Sequence, residues 1–355
     1  MTFLSTLTRQ SLFAASAVAA LLSLASPAKI VADDNTPAPG DAKPASGSAN
    51  AGAGVRVVSY PAPDPIGRGK ERALVLGGGG EWFVAWQLAY FTTLAEGGVD
   101  LSTADAVVGT SAGSAMGTLL TSGRLAQGAN IFKWFAEHPN YMSQLVVVNT
   151  GAESQTRARE LQATTKTHDP QAIKEMGRAA MAARNAPVEN YQTAIQQIIG
   201  PMDWPSPAMH TTANDCYAGE RLIVYPDSGI PIRDAISASS SLPGIFGPTW
   251  LNDHCSMDGG ISRSGTHADL MAGAKRVVVV ALSNGDPQYA QLSPFHAPIA
   301  EELDIVRKSG SEVFVTYANP PKGTNFLDPR EMVLAAKMGA AKAKEDLAAL
   351  SKLWN

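Results

Sequence analysis

Residues 73–82 read ALVLGGGGEW, an apolar run that passes directly into four glycines. The run predicts a short buried strand over Ala73–Leu76, and the pattern after the glycines predicts a helix over Glu81–Glu96. Glycine loses more backbone freedom on folding than any other residue, so four in succession indicate that something approaches this backbone closely. The chain therefore begins its folded part with a strand, a glycine-rich turn and a helix.

Such a turn can serve two kinds of chemistry. Its free N–H groups can cradle a phosphate, or they can hold the oxyanion of an acyl-transfer intermediate. A dinucleotide fingerprint needs a third glycine at the sixth position, which is Trp82 counted from Gly77 and Phe83 counted from Gly78. No Gly-Lys-Ser/Thr tripeptide follows either, so the turn is not a P-loop. The rest of the chain has to decide its role.

The rest of the chain alternates between strand and helix patterns. Further strands are predicted over Ala106–Val108, His210–Cys216, Arg221–Tyr225, Val277–Leu282 and Val313–Tyr317. Because nearly all of these runs are apolar, they predict an α/β fold with a mostly parallel central sheet covered by helices on both faces. Residues 125–206 lack strand signals and are rich in alanine and long polar side chains, so they predict a helical insertion.

The N-terminal segment differs in composition from the folded part. Arg9 precedes the small, apolar run SLFAASAVAALLSLA, which predicts a signal peptide over residues 1–28 with cleavage after Ala28. Export to the periplasm or the medium is expected, and a cytoplasmic location if the segment is not used. Residues 29–69 are rich in Pro, Ala, Gly and Ser and predict a flexible linker, followed by one folded domain over residues 70–355.

Charge and cysteine content exclude some classes of function. The net charge of −4 gives no basic signature, so no nucleic-acid partner is expected. Cys216 and Cys255 lack the CxxC spacing of a zinc site, and no metal or cofactor is expected. The two cysteines are either a disulfide, if the protein is exported, or two buried thiols.

A second turn carries a candidate nucleophile. Residues 109–113 read GTSAG, directly after a buried strand and before an alanine-rich helix. This is the setting of a nucleophile elbow, in which a strained turn presents a serine at the start of a helix. Both glycine-containing turns follow strands, and in a parallel sheet both lie at the carboxyl edge, where active sites form. The sequence thus predicts Ser111 as the nucleophile, facing backbone N–H groups of the glycine loop.

A serine nucleophile needs a base, and two candidates remain. Among six histidines, His296 lies in a proline-flanked loop and best fits a Ser–Asp–His order along the chain. The other candidate is Asp258 in Met-Asp-Gly-Gly, where the glycines mark another turn without side chains. Taken alone, that turn is ordinary.

Together these segments resemble the patatin-like phospholipase family. The resemblance rests on LGGGG, GTSAG, SLPGIF, MDGG and SRSGTHADL, in this order, over most of residues 72–350. It implies a three-layer α/β/α fold and a Ser–Asp dyad, with Ser111 as nucleophile and Asp258 as base. It also implies an oxyanion hole from Gly77, Gly78, Gly79 and Gly80. The implied reaction is metal-free hydrolysis of a lipid acyl ester through an acyl-enzyme, with transient contact to a membrane surface.

The sequence departs from the family pattern at one place. The family's glycine loop continues with arginine and glycine, whereas this chain has Glu81 and Trp82. Two alternatives therefore stay open beside the dyad: a Ser–His–Asp esterase that uses His296, and a catalytically inactive lipid-binding protein. The insertion adds a hypothesis of its own, a gate for acyl chains built from Trp134, Phe135, Tyr141, Met142, Met202 and Trp204.

Overall fold

The computed structural model describes residues 55–58, 65–138, 140–141, 146–165, 169–290 and 299–355, with backbone alone for 55–58. The predicted signal peptide (1–28) and most of the predicted linker (29–69) lie outside the described residues. So do His168, His296 and Met142.

Within the described residues nine strands form a single sheet. In chain order they are β1 Val55–Val58, β2 Arg72–Leu76, β3 Ala106–Gly109, β4 Met209–Asp215, β5 Arg221–Val224, β6 Thr249–Leu251, β7 His254–Asp258, β8 Arg276–Ala281 and β9 Glu312–Tyr317.

Helices connect and cover these strands. They are α1 Gly80–Glu96, α2 Ala112–Thr121, α3 Leu125–Glu137, α4 Glu153–Thr164, α5 Pro170–Ala182, α6 Val188–Ile199, α7 Ile232–Ser239, α8 Ile299–Lys308 and α9 Met332–Trp354. Helices α3 to α6 make up the predicted helical insertion. In the described part of the chain, no helix combines the length and the apolar character that crossing a bilayer requires.

The sheet is parallel at its centre and antiparallel at one side. Its path is β1-β5-β4-β3-β2-β8-β9, and β4-β3-β2-β8-β9 are parallel neighbours. Antiparallel pairs join β5 to β1 and β4, and β7 to β4 and β6. The predicted α/β fold is confirmed. Because β2 and β3 pair in register up to Leu76 and Gly109, the two turns that follow them lie at the same edge.

Two apolar layers hold helices against the sheet. Side chains alternate along a strand, and in β2 Leu74 and Leu76 face one layer while Ala73 and Val75 face the other. The first layer includes buried residues of α1, α2 and α9, and the second includes buried residues of α8. The sheet is therefore covered on both sides, as a near-continuous apolar strand pattern requires.

The predicted linker contains a strand, which corrects its boundary. Val55–Val58 pairs antiparallel with β5 along its whole length, although residues 29–69 were predicted as flexible. Further on, the N–H of Gly67 donates to the carbonyl of Leu270 at 3.0 Å. The strand covers the outer edge of β5, which would otherwise present unpaired N–H and C=O groups. Ordered structure thus starts before residue 70.

A hairpin absent from the sequence prediction joins the sheet near Asp258. Strands β6 and β7 are antiparallel and are separated by Asn252 and Asp253, with Asn252 at a positive φ of 54°. Asp258 is the last residue of β7, and the two glycines after it begin a short 3₁₀ turn, Gly259–Ile261. The predicted turn after Asp258 is present, but a strand positions it.

The two cysteines meet at the start of this hairpin. Cys216 and Cys255 are both buried free thiols, and the N–H of Cys216 donates to the carbonyl of Cys255 at 2.8 Å. Of the two expected alternatives, the structure has the pair of thiols.

Candidate active site

Ser111 lies on a strained turn between β3 and α2. Its φ of 51° and ψ of −118° are uncommon for a residue with a side chain, and strain of this kind clusters at functional sites. The Ser111 N–H donates to the hydroxyl of Ser239 at 2.8 Å, which fixes the turn against α7. The turn at Ser111 therefore has the backbone strain that a nucleophile elbow requires.

The two glycines of GTSAG are required by close packing. A Cβ on Gly109 would lie 2.4 Å from the carbonyl oxygen of Gly113. A Cβ on Gly113 would lie 2.1 Å from the carbonyl oxygen of Leu76. Helix α2 can therefore start directly above the strands only because both side chains are missing.

Strand β7 brings Asp258 to this turn. Strand β3 pairs with β4 up to Thr211, and two residues further along β4 Ala213 pairs with Asp258. Strand β7 thus takes over the edge of β4 that β3 leaves when it turns into α2. Because β7 runs antiparallel to β4, its last residue points back towards the carboxyl end of β3. This arrangement places the Asp258 carboxyl within hydrogen-bonding reach of the Ser111 hydroxyl.

The Asp258 carboxyl is almost fully buried, with 2% of its surface exposed. Burial raises its pKa to about 7, against the opposing effects of hydrogen bonds from the Gly260 N–H and the Ser111 hydroxyl. The Gly260 N–H donates to Oδ1 at 2.6 Å. Near neutral pH this carboxyl is thus poised between its protonated and ionised forms, as a general base requires.

A buried polar cluster holds the turn after Asp258. Asn214 donates to the carbonyl of Asp258 at 2.7 Å, and Nε2 of His267 lies 2.9 Å from the carbonyl of Gly259. Burial and the neighbouring Arg221 lower the pKa of His267 to about 3, so its ring is neutral. Arg221 in turn forms a two-pronged ion pair with Asp269, at 2.8 and 3.0 Å. Part of the SRSGTHADL segment therefore supports the Asp258 turn.

The four glycines of the first loop make different contacts, and each contact explains its glycine separately. The N–H of Gly77 donates to the carbonyl of Val280 at 2.9 Å and continues the sheet ladder. The prediction that Gly77 donates to the oxyanion is therefore wrong, because its N–H already donates to Val280. A Cβ on Gly78 would lie 3.1 Å from the Cβ of Ser111. The loop thus makes room for the serine side chain.

The next two glycines are packed against the protein itself. A Cβ on Gly79 would meet Phe83 at 2.5 Å, and one on Gly80 would meet the carbonyl oxygen of Phe326 at 2.6 Å. Within the described residues, the N–H groups of Gly79 and Gly80 make no hydrogen bond, whereas that of Gly78 makes a long one of 3.5 Å to Gly265. Gly79 and Gly80 therefore remain as candidate oxyanion donors.

A third candidate donor was missing from the sequence prediction. Ala112 follows the nucleophile and is the first residue of α2, where N–H groups have no partner inside the helix. In the described part of the chain, the Ala112 N–H donates no hydrogen bond. The general pattern of nucleophile elbows, in which the residue after the serine donates to the oxyanion, would have found it.

Ser111 and Asp258 line a mostly apolar cavity of about 80 Å³. The insertion supplies much of its wall through α3 and α6, and other parts come from α1, α2, α7 with the loop after it, and the start of α9. Residues that line the apolar part include Phe132, Phe135, Ile195, Ile198, Phe246 and Met332. A small, mostly apolar cavity that also contains a hydroxyl and a carboxyl suits an acyl chain with its ester beside those two groups.

The hypothesis of a gate in the insertion fits in part. Phe135 lines the cavity, whereas Trp134 lies against His138 and Tyr141, and the side-chain N–H of Trp204 donates to the carbonyl of Ile230. Met142 lies outside the described residues. Periodicity cannot distinguish the residues of a helix that face a cavity from those that face a neighbouring helix.

Tyr191 is a cavity residue that sequence reasoning missed. It lies on α6, stacks on Phe246 at a ring distance of 4.0 Å, and its hydroxyl hydrogen-bonds to Ser240. Burial is the largest cause that raises its pKa, and the charges of Asp258 and Glu81 raise it further. Its hydroxyl therefore stays protonated beside the two carboxyls.

Glu81, the departure from the family pattern, borders the same cavity as Ser111 and Asp258. Burial, with a smaller contribution from the charge of Asp328, raises its pKa to about 7. Its Oε2 is buried and has no hydrogen-bond partner in the described residues. The site thus holds a second carboxyl, whose charge changes with pH near neutrality.

Trp82, the other departure, is a core residue. It is fully buried, and its ring meets that of Phe326 edge-on at 6.4 Å. Its backbone N–H donates to the carbonyl of Phe326 at 3.1 Å. It fills the layer between α1 and the loop before α9 and does not line the cavity.

No histidine among the described residues lines the cavity. His254 pairs with Asp215 at 2.8 Å, His210 lies 2.9 Å from the carbonyl of Ala208, and His267 belongs to the buried cluster below Asp258. His296, the candidate for a Ser–His–Asp arrangement, lies outside the described residues.

One protein-family model matches the part of the chain that contains these motifs. The family model described as patatin-like phospholipase matches residues 74–270, more than half of the chain. The chain belongs to the patatin-like phospholipase family. The family is one of lipid acyl hydrolases. The match spans the glycine loop, GTSAG and the Asp258 turn.

Three solved structures are similar to this chain at low sequence identity. VipD from Legionella pneumophila is 13% identical, with a TM-score of 0.42, over 81% of this chain and 67% of that chain. The type III effector ExoU is 16% identical, with a TM-score of 0.33, over 83% of this chain and 54% of that one. The complex of ExoU with SpcU from Pseudomonas aeruginosa gives 16% identity and a TM-score of 0.38, over 93% of this chain and 62% of that one. The chain thus spans between about half and two thirds of these proteins. A comparison with curated protein sequences gives no match.

Proposed function

We propose that this protein hydrolyses acyl esters of lipids through an acyl-enzyme on Ser111, with Asp258 as the general base. The observation that carries the proposal is that a strained serine and a buried carboxyl line the same mostly apolar cavity. The acyl chain would lie among the apolar residues, with its ester at Ser111.

The proposed reaction follows from the positions of these groups. As the Ser111 hydroxyl attacks the ester carbonyl, its proton passes to the Asp258 carboxylate. The negative charge on the carbonyl oxygen falls at the start of α2, close to the N–H of Ala112 and to the glycine loop. Protonated Asp258 then returns its proton to the leaving alcohol, and water repeats the sequence on the acyl-enzyme.

Hydrolysis assays test this proposal directly. Wild-type protein should hydrolyse p-nitrophenyl esters and phospholipid vesicles, with release of free acid measured by absorbance or mass spectrometry. An intact, folded protein that binds lipid but releases no acid from any of these substrates would contradict the proposal and favour the inactive, lipid-binding alternative.

A dyad also predicts that no histidine is essential. We expect His296→Ala to keep kcat/KM for a p-nitrophenyl ester within about threefold of wild type, because the base is a carboxylate. His138→Ala, at an exposed helix end, is the matched control. A loss in His296→Ala as large as that in a serine knockout would replace the dyad by a Ser–His–Asp triad.

Glu81 should set a headgroup preference that varies with pH. Below pH 7 its carboxyl is mostly neutral, and above pH 7 it is mostly ionised and repels an anionic headgroup. At low salt we expect the preference for zwitterionic over anionic phospholipid vesicles to grow by about tenfold between pH 6 and pH 8.

Variants at Glu81 give this test its controls. Glu81→Gln should remove the pH-dependent part of the preference, and Glu81→Arg should shift it towards anionic lipid. Glu153→Gln, which neutralises a highly exposed glutamate on α4, should change nothing. If Glu81→Gln kept the wild-type pH dependence, Glu81 would not contact the headgroup.

A further inference from the structure

A second apolar space lies next to the catalytic cavity. It is an open groove of about 580 Å³ between α1, α3 and α9, which we call the α1–α3–α9 groove. Its floor is made of small or apolar side chains: Ala85, Leu88, Ala89, Ala129 and Ala336. The small residues of the floor give the groove its depth.

Two side chains separate the groove from the catalytic cavity. Phe132 on α3 and Met332 at the start of α9 line both spaces. They are buried in the same apolar cluster, with 6% and 3% of their surfaces exposed. No backbone segment needs to move for the two spaces to join, because the partition includes an unbranched methionine and an aromatic ring, which can change rotamer.

The catalytic cavity by itself is too small for a long acyl chain. An apolar cavity of about 150 Å³ holds one benzene molecule. The 80 Å³ at Ser111 is therefore room for about three or four carbon atoms beyond the ester. The groove on the other side of Phe132 and Met332 is several times larger and has room for about ten or more carbons.

We propose that long acyl chains pass between Phe132 and Met332 and place their distal carbons in the α1–α3–α9 groove. This inference rests on the proposed function, because it assumes that the acyl chain starts at Ser111. The floor offers apolar surface along the chain. The rim carries both signs of charge, on Glu96, Glu137, Lys133 and Lys337, and so has no single-signed patch that would select an anionic membrane surface.

A bulky residue in the groove tests the proposal. We expect Ala89→Trp to lower kcat/KM for p-nitrophenyl palmitate by about tenfold or more, since several methylenes lose their apolar contacts. Turnover of p-nitrophenyl butyrate should stay within about twofold, because its chain ends before Phe132. Both esters are dispersed in the same detergent. Ala336→Trp, on α9 instead of α1, should repeat the result, and unchanged butyrate turnover shows that each variant is folded.

Further variants sharpen the test. Phe132→Ala should raise the palmitate-to-butyrate ratio, because it opens the partition. Ala300→Trp, the same change at an exposed site on α8, is the control and should leave the ratio unchanged.

Several results would overturn the inference while leaving the proposed function intact. One is an unchanged palmitate-to-butyrate ratio in both groove variants, which would mean that the groove holds no acyl chain. A second is an equal loss for both esters. A third is a loss confined to vesicle substrates with an unchanged ester profile, which would assign the groove to membrane docking. Failure of wild type on both esters would instead contradict the proposed function itself.

Discussion

Ser111→Ala should lower ester turnover by about 10⁴- to 10⁶-fold, with little change in lipid binding. The variant removes only the hydroxyl, and the strained backbone at this position is held by the Ser239 contact and by the packing of Gly109 and Gly113. The measurement is single-turnover release of p-nitrophenol, with vesicle co-sedimentation to follow binding.

A matched control keeps this result specific. Ser239→Ala, which removes the side chain that accepts a hydrogen bond from the Ser111 N–H, alters the turn but leaves the nucleophile in place. It should cost far less activity than Ser111→Ala. A Ser111→Ala protein with wild-type turnover would contradict the assignment of the nucleophile.

Asp258→Asn should combine a large loss of activity with a gain in stability. Without a carboxylate to accept the serine proton, we expect turnover to fall by about 10³- to 10⁴-fold. In wild type, turnover of an uncharged ester should rise as the pH increases through about 7, because the base must be ionised.

The stability change follows from the same pKa. Burial raises the pKa of Asp258 from 3.8 to about 7 in the folded state. Folding is therefore disfavoured progressively as the pH rises from about 4 to 7, and the penalty stays constant above that window. Asparagine has no charge to bury and keeps an oxygen for the Gly260 N–H. At pH 8 the free energy of unfolding should thus be larger by roughly 4 kcal/mol, and the two proteins should converge near pH 4.

Asp269→Asn is a control that should change the stability of the fold in the opposite direction. Asp269 is also buried, but its ion pair with Arg221 lowers its pKa. Its loss leaves a buried guanidinium without its partner, so the Tm should fall. Thermal unfolding of both variants against pH measures the difference. If Asp258→Asn were less stable than wild type at pH 8, the Asp258 carboxyl would not carry a burial penalty.

Strongly patterned segments of the fold could be predicted from the sequence. The apolar runs of β2, β3 and β8 occur between helices, and a buried parallel sheet is the structure that such runs support. The position of Ser111 was predictable because a strand, GTSAG and a helix leave few other backbone paths. Family resemblance, rather than pattern alone, indicated Asp258.

The β6–β7 hairpin shows what pattern reasoning missed. It is short, its turn is Asn252-Asp253 rather than the more familiar Asn-Gly, and its pairing partner β4 is about 40 residues earlier in the chain. Two short runs separated by two turn-forming residues are nevertheless a hairpin signal. Recognising it would have shown that Asp258 ends a strand, and not only that it starts a turn.

The roles of the glycines could not be assigned without coordinates. Gly77, Gly78, Gly79 and Gly80 are equivalent in the sequence, yet their neighbours are Val280, Ser111, Phe83 and Phe326. Except for Phe83, these neighbours come from distant parts of the chain, so only the tertiary structure separates a ladder N–H from a candidate oxyanion donor. The same holds for Glu81, whose raised pKa depends on burial and on Asp328.

The role of Ser111 as nucleophile is tested most directly by peptide mass spectrometry after reaction with a fluorophosphonate. We expect one modified residue, Ser111, with labelling that blocks ester hydrolysis in proportion to its extent and that slows strongly in Asp258→Asn. Complete loss of hydrolysis with the label on a residue other than Ser111, or full activity in protein labelled at Ser111, would contradict it.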